Sequence, residues 1–200
     1  QFGFQTKAKL ATQSFTRIYP KHVLSLKKET LQREHLDWIR SKYQNHTAYF
    51  EEYLKDGFIH CWHSADGKLL ALGKFTTVTW EINRLPGKLG GFFVKLLPYL
   101  PVFRKLVNVK HHQFLVPEAV CLADESPKVL ETFLAGALHM EKRQMMLWWN
   151  DERDPLYMKL KDQVNWGIMH RILGISPVDV VIRGDFQPEN PMYIAAFDMI

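Results

Sequence analysis

The chain has 200 residues, a formal net charge of +5 and a pI of about 9.1. Hydrophobic residues make up 46% and charged residues 24%, which argues against extended disorder and allows one domain with a substantial core. The modest positive charge, without a nucleic-acid-binding motif, argues against nucleic acid as a partner and favours small phosphate-bearing ligands.

The cysteine content and the absence of targeting signals predict a cytoplasmic protein. Cys61 and Cys121 are too few for a disulfide framework, which favours a reducing compartment. There is no signal peptide and no uncharged apolar run of about eighteen residues. Because the first residue is Gln and not Met, we expect the chain to be a processed or excised piece.

The first quarter of the chain predicts one strand and then helices. Residues 8–19 are rich in β-branched and aromatic side chains, as in a strand. Residues 25–55 predict a long helical region, with a second helix capped by Asn45 or Thr47. The side chains expected on the buried faces of these helices are Leu31, His35, Trp38, Ile39, Tyr43, Tyr49, Phe50, Tyr53 and Leu54.

The middle of the chain predicts a hairpin followed by an insertion. Residues 58–63 and 69–80 read as strands, and Asp66–Gly67 between them supplies the positive φ of a tight turn. Residues 84–109 are apolar and basic and contain prolines and glycines, which predicts a helical insertion of broken helices.

In the rest of the chain, predicted strands alternate with predicted helices. This order predicts an α/β fold with a mixed sheet and helices on both faces. In chain order the pattern predicts strand 112–123, helix 126–143, strand 145–149, helix 155–166, and strands 178–183 and 193–199.

One segment resembles a known family. Asn150 follows a short apolar strand. Seven residues later, Tyr157 lies in a predicted helix with the pattern Leu-Tyr-x-Lys-Leu at residues 156–160. This segment resembles the GCN5-related N-acetyltransferases (GNAT), and the element order over nearly the whole chain is similar to theirs. The resemblance implies a mainly antiparallel twisted sheet of about six to seven strands, with acetyl-CoA bound where two strands splay apart.

The resemblance also implies roles for particular residues. Tyr157 matches the family's general acid, which protonates the leaving thiolate, and Asn150 matches an amide beside coenzyme A. The pyrophosphate cradle falls at residues 122–129, where this chain has no glycine and carries Asp124 and Glu125 instead. The cofactor-binding positions there are Leu122, Ala123, Ser126, Lys128 and Val129. Ordinary helix capping by Ser126 and Pro127 is the alternative reading of this turn.

The domain organisation has two readings. The Gly3-Phe4 pair resembles the segment that follows the Leu-Tyr-x-Lys-Leu helix in a GNAT domain. Residues 1–16 are therefore either the tail of a preceding domain, in a tandem pair, or the first strand of this one. Residues 17–200 form the GNAT-like domain, with the insertion at 84–109.

Three functions follow as hypotheses. The first is an N-acyltransferase that moves an acetyl group from acetyl-CoA to an amine or other small molecule, with Glu81 or Glu118 as a candidate base. The second is a non-catalytic domain of the same fold that binds a ligand or partner. The third is a module that contacts a membrane surface or handles lipids through residues 86–107.

No metal site is predicted from the sequence. Cys61 and His63 share one face of a strand, but two ligands do not make a zinc site without a second pair. The adjacent residues His111 and His112 point in different directions on a strand, so they do not provide that pair.

Overall fold

The computed structural model describes residues 4–83, 99 and 106–195. The strands are β1 (Phe4–Thr16), β2 (Leu26–Thr30), β3 (Phe58–His63), β4 (Leu69–Trp80), β5 (His112–Leu122), β6 (Met145–Asp151) and β7 (Ser176–Arg183). The helices are α1 (Arg33–Tyr43), α2 (Pro127–Met140), α3 (Pro155–Leu160) and α4 (Ile168–Leu173), with a 3-10 turn at Glu51–Leu54.

These strands form one mixed sheet in the order β2-β3-β4-β5-β6-β1-β7. The pairing of β5 with β6 is parallel, and the other neighbouring pairs in this sheet are antiparallel. Helix α2 packs on one face, where Phe133 and Leu134 are fully buried, and α1 covers the other face through Ile39. The predicted α/β class, with a mainly antiparallel mixed sheet of seven strands and helices on both faces, is confirmed.

Adjacent residues of β5 show how the sheet separates its two cores. Leu122 packs toward α2, while Cys121 packs toward α1, as the period of two along a strand requires. The predicted hairpin is also confirmed, since β3 pairs with β4 and Gly67 has φ +84. An L side chain rarely adopts that backbone conformation, which explains the Asp-Gly turn.

The prediction of one helical region over residues 25–55 was wrong in two places. Residues 26–30 form β2, because pairing with β3 outweighs the helical preference of this Lys- and Glu-containing segment. After α1 the chain makes only the 3-10 turn at 51–54, and Phe50 is half exposed instead of buried. His35, Ile39 and Leu54 are buried as predicted.

The helix predicted over residues 155–166 is shorter than expected, and a further helix follows it. Helix α3 ends at Leu160, and α4 begins after Gly167, which has φ +98. A Cβ at Gly167 would lie 2.3 Å from the carbonyl oxygen of Thr16, so only glycine allows this close approach to the end of β1.

The two closing strands predicted at residues 178–183 and 193–199 have different outcomes, and residues 196–199 lie outside the described residues. Residues 176–183 form β7, but residues 193–195 are not in a strand. Instead β1 lies between β6 and β7 and is antiparallel to both. Residues 4–16 are thus a strand of this sheet, and the existence of a preceding tandem domain stays a prediction.

Most of the insertion at 84–109 lies outside the described residues. The hypothesis that residues 86–107 contact a membrane surface therefore stays a prediction. Within the described ranges, no helix combines the length and the apolar character needed to cross a membrane. Cys61 and Cys121 are both buried and unpaired.

Candidate functional site

The parallel strands β5 and β6 separate toward their carboxyl ends. Their ladder consists of the pair Leu115 and Met146, although β5 continues to residue 122 and β6 to residue 151. Pro117 follows this pair in β5, and proline is found in sheets where a ladder bond is not required. These two central strands therefore leave a gap between their carboxyl ends, where the GNAT resemblance predicts cofactor entry.

A bulge in β5 accompanies this gap. The partners of β4 jump from Cys121 to Glu118 while β4 itself advances from Leu72 to Lys74, so β5 contains an extra residue. Ala119 lies inside the bulge with φ +50, an uncommon value for a residue with a Cβ. A bulge bends its strand and redirects side chains, and it often occurs beside a functional site.

The cleft between the two strands has an accessible volume of about 30 Å³. It is bounded by the ends of β5 and β6, the end of α1 and the segment 192–194. A water molecule needs about 10–15 Å³ measured in this way, so the cleft has room for about two waters. The residues that line it are Tyr43, His46, Pro117, Glu118, Ala119, Trp148, Trp149, Asn150, Asp151, Asp154, Met192, Tyr193 and Ile194.

Asp151 and Arg153 anchor the segment that closes the cleft. Arg153 donates from Nη2 to Asp151 Oδ2 at 2.8 Å, and its guanidinium also donates to the carbonyls of Pro188 and Asn190. The backbone N–H of Met192 donates to the same Oδ2 at 2.9 Å. Burial by itself would raise the pKa of Asp151, but these hydrogen bonds hold it below its ordinary value.

His46 and Asp154 form a polar pair on the wall of the cleft. His46 Nε2 lies 3.1 Å from Asp154 Oδ2, and both side chains are mostly buried. The other carboxylate oxygen of Asp154 accepts the backbone N–H of Tyr157 at 2.8 Å and so caps α3. If Nε2 carries the proton toward Asp154, Nδ1 is the basic nitrogen. Sequence reasoning missed this pair because its members lie 108 positions apart.

The two residues predicted from the GNAT-like segment occupy different environments. Asn150 lines the cleft, and its amide nitrogen is buried without a hydrogen-bond partner among the described residues. Tyr157 lies in the first turn of α3, is 7% exposed and does not line the cleft. Burial, followed by the charges of Glu152 and Asp162, raises the pKa of Tyr157, so its phenol keeps its proton.

The two candidate bases named from the sequence also differ in position. Glu118 lines the cleft, is 5% exposed and accepts a hydrogen bond from Thr76 Oγ1 at 2.9 Å. Glu81 is exposed just beyond the end of β4. Geometry therefore places Glu118, together with His46, beside the gap, and it leaves Glu81 outside it.

Two backbone N–H groups at the turn between β5 and α2 already have partners within the chain. Ala123 donates its N–H to Leu70 O at 2.8 Å, and Val129 donates its N–H to Ser126 Oγ at 3.4 Å. Ser126 is thus the helix cap that the alternative reading predicted. The side chain of Leu122 is buried in the core on the α2 side. Neither the Ala123 nor the Val129 N–H is free for a phosphate.

Glu125 already holds two lysines at this turn. Lys42 Nζ donates to Glu125 Oε1 at 2.5 Å, and Lys159 Nζ donates to Oε2 at 3.2 Å. The hydrogen bond from Lys42, opposed by burial and aided by Lys159, lowers the pKa of Glu125. A carboxylate therefore pairs with cations that would otherwise be available to a phosphate. Lys128, the other predicted cation, lies in the first turn of α2.

No family model and no curated protein matches the chain. It is similar to a crystal structure of Saccharomyces cerevisiae N-myristoyltransferase with bound myristoyl-CoA, with a TM-score of 0.47 and 10% identity over 92% of this chain. A structure of that protein with myristoyl-CoA and inhibitors gives a TM-score of 0.44 and 9% identity over 90% of this chain. Both matches cover 50% of the other protein, so the chain spans about half its length.

Proposed function

We propose that this domain binds an acyl-CoA in the gap between β5 and β6 and transfers the acyl group to an amine. The observation that carries the proposal is the early end of the parallel ladder after Leu115 and Met146. A strand without a neighbour on one side presents backbone N–H and C=O groups to a ligand. The amides of a pantetheine arm are suited to pair with such an edge, and the buried amide of Asn150 adds a donor beside it.

Binding requires the segment around Met192 and Tyr193 to move. A cleft of about 30 Å³ does not accommodate a pantetheine arm, which is far larger than two waters. The segment is held by the Met192 N–H bond to Asp151 and by the bridge between Thr47 and Met192. The proposal therefore includes displacement of residues 191–194 when the donor enters.

The chemistry is direct transfer. The amine nitrogen attacks the thioester carbonyl, the C–S bond breaks, and the amine proton passes to a base while the thiolate receives a proton. A strand N–H would polarise the carbonyl oxygen. His46, oriented by Asp154, is the proposed base. Tyr157, which does not line the closed cleft, is the proposed acid once residues 191–194 have been displaced. We further propose acetyl-CoA as donor, a small amine as acceptor, an acceptor side shaped by residues 84–109, and a cytoplasmic location.

A second candidate is a non-catalytic domain of the same fold. The ion pairs of Glu125 with Lys42 and Lys159 favour it, because they occupy the turn where the pyrophosphate would bind. In that case the gap would serve a partner or another ligand. A measurement of acetyl-CoA binding separates the two candidate functions. A substitution at Glu125, which releases the two lysines, makes that measurement more sensitive.

Isothermal titration of acetyl-CoA into the wild-type chain and Glu125→Gln tests the proposal. We expect measurable binding to the wild type and tighter binding to the variant, since two lysines become available to the phosphates. Glu131→Gln is the matched control, because Glu131 lies on the neighbouring helix α2 and pairs with Arg17 away from this turn. Absence of binding to both the wild type and Glu125→Gln at millimolar ligand would contradict the transferase and support the non-catalytic domain.

If acetyl-CoA binds, amine acetylation by wild type, Tyr157→Phe and His46→Gln tests the assigned roles. Loss of a general acid or base lowers kcat by about 100-fold or more. Tyr19→Phe is the control for the phenol, because Tyr19 is 75% exposed. Unchanged kcat in both site variants would overturn these two assignments.

A further inference from the structure

Four side chains with metal-binding atoms meet on the α1 face of the sheet. Glu29 comes from β2, His35 from the first turn of α1, and Cys61 and His63 from β3. One ligand atom from each of Glu29, His35 and Cys61 lies within 4.8 Å of the others. The sequence pattern identified only Cys61 and His63 as neighbours on one strand. Folding adds Glu29 and His35, which are the second pair of ligands that the sequence pattern did not contain.

The separations of these atoms match the edges of a tetrahedral metal site. Cys61 Sγ lies 3.6 Å from His35 Nε2, and His35 Nε2 lies 3.7 Å from Glu29 Oε2. Zinc distances of about 2.3 Å to sulfur and about 2.0–2.1 Å to nitrogen or oxygen give edges of about 3.6 Å for S···N and about 3.4 Å for N···O. An N···O separation of 3.7 Å is too long for a hydrogen bond.

Burial adds a second argument. His35 is 1% exposed and Cys61 is 0% exposed, so the imidazole Nε2 faces a thiol and a carboxylate away from bulk water. A thiol is a weak hydrogen-bond partner, so direct contacts satisfy this nitrogen poorly. Glu29 and His63 are partly exposed, with His63 Nδ1 3.7 Å from Glu29 Oε1. They leave an access route for an ion from the solvent.

We infer that Glu29, His35 and Cys61 bind a divalent transition metal, with Zn²⁺ as the best match, and that His63 stands at its solvent side. Sulfur, imidazole and carboxylate are the ligand types that zinc accepts. The backbone N–H of Gln32 donates to His35 Nδ1 at 3.2 Å. Metal binding at Nε2 moves the ring proton to Nδ1, which then no longer accepts the Gln32 N–H. The cost at the start of α1 is this one hydrogen bond.

The site would tie together two strands and a helix. Strands β2 and β3 are neighbours at one edge of the sheet, and α1 packs beside them through Ile39. A metal bound across these three elements stabilises the folded chain, because the ligands do not converge in the unfolded one. We therefore expect a thermal shift on metal addition.

Cobalt titration of the chelator-treated full chain tests the inference, because a Co²⁺–thiolate bond gives a charge-transfer absorption in the near ultraviolet. We expect the band in wild type and in Cys121→Ser, and its loss in Cys61→Ser. Cys121 is a matched control, since burial raises the pKa of both thiols to about 12. Both variants are checked for folding by circular dichroism.

Glu29→Gln keeps the test decisive if Cys61→Ser does not fold, because Glu29 is partly exposed. We expect Zn²⁺ affinity, measured by isothermal titration, to fall at least about tenfold in this variant and the thermal shift to shrink. No Zn²⁺ binding and no cobalt band with folded wild type would overturn the inference. A cobalt band that survives in folded Cys61→Ser would also overturn it.

Discussion

The β5–β6 cleft and the turn at residues 122–129 are adjacent parts of one predicted cofactor site, but their polar groups are arranged differently. In the cleft, the buried carboxylate of Asp151 holds a backbone segment of the chain itself. At the turn, Glu125 holds two partly exposed lysine side chains. Opening the cleft requires a backbone segment to move, whereas opening the turn requires only side-chain rotation. Exposed ion pairs contribute about 0–1 kcal/mol, so the turn is the easier part to open.

The largest expected effect concerns the cleft. We predict that Asp151→Asn lowers the free energy of unfolding by about 2 kcal/mol, because it weakens the hydrogen bonds that a buried carboxylate accepts from Arg153 and from the Met192 N–H. Urea denaturation of the wild type and the variant measures this difference in the free energy of unfolding. Glu152→Gln is the control, since Glu152 is the exposed neighbour. If the free energy of unfolding fell by less than about 1 kcal/mol, the segment around Met192 would not be held by this carboxylate.

A smaller effect is expected at the turn. Ser126→Ala removes the cap of α2 and should lower the free energy of unfolding by about 0.5–1 kcal/mol, since the bond to the Val129 N–H is long at 3.4 Å. The same urea experiment measures it, with Ser41→Ala on α1 as control. If Ser126→Ala cost as much as Asp151→Asn, the contrast between turn and cleft would be lost.

The far end of β5 gives the third test, away from both regions. His112 is 5% exposed, and burial lowers its pKa. Above the unfolded value of about 6.5 both states are neutral, and below it the unfolded state binds the proton first. The free energy of unfolding should therefore fall as the pH drops below about 6.5, and His112→Gln should make this slope shallower. Gln113→Asn, at the neighbouring position in β5, changes no titratable group and is the control.

Elements defined by local patterns were predictable from the sequence. The Asp66–Gly67 turn and the Ser126–Pro127 helix start identify the hairpin and α2, because turn chemistry and capping act over a few residues. Strand β2 was not predictable in this way, since residues 26–30 become a strand through pairing with β3.

The candidate sites follow the same rule. The position of Asn150 in the cleft could be predicted because it depends on the strand end and the helix beside it in sequence, and its role beside a cofactor stays a proposal. His46 and Asp154 meet across 108 positions, and Glu29 and Cys61 meet only once β2 and β3 pair. No local pattern contains such contacts, because they depend on the topology of the sheet.

The position of β1 has a consequence for how the chain folds. Its pairings join Leu10 to Asp151 and Phe4 to Arg183, so the first strand of the sheet has its neighbours near the other end of the chain. Contacts so distant in sequence slow folding, because a long loop must close before they form. During synthesis, β1 has to wait until residue 183 has left the ribosome before its ladder is complete. Until then the edge of β1 that faces β7 has no neighbouring strand, and an exposed strand edge of this kind is prone to aggregation.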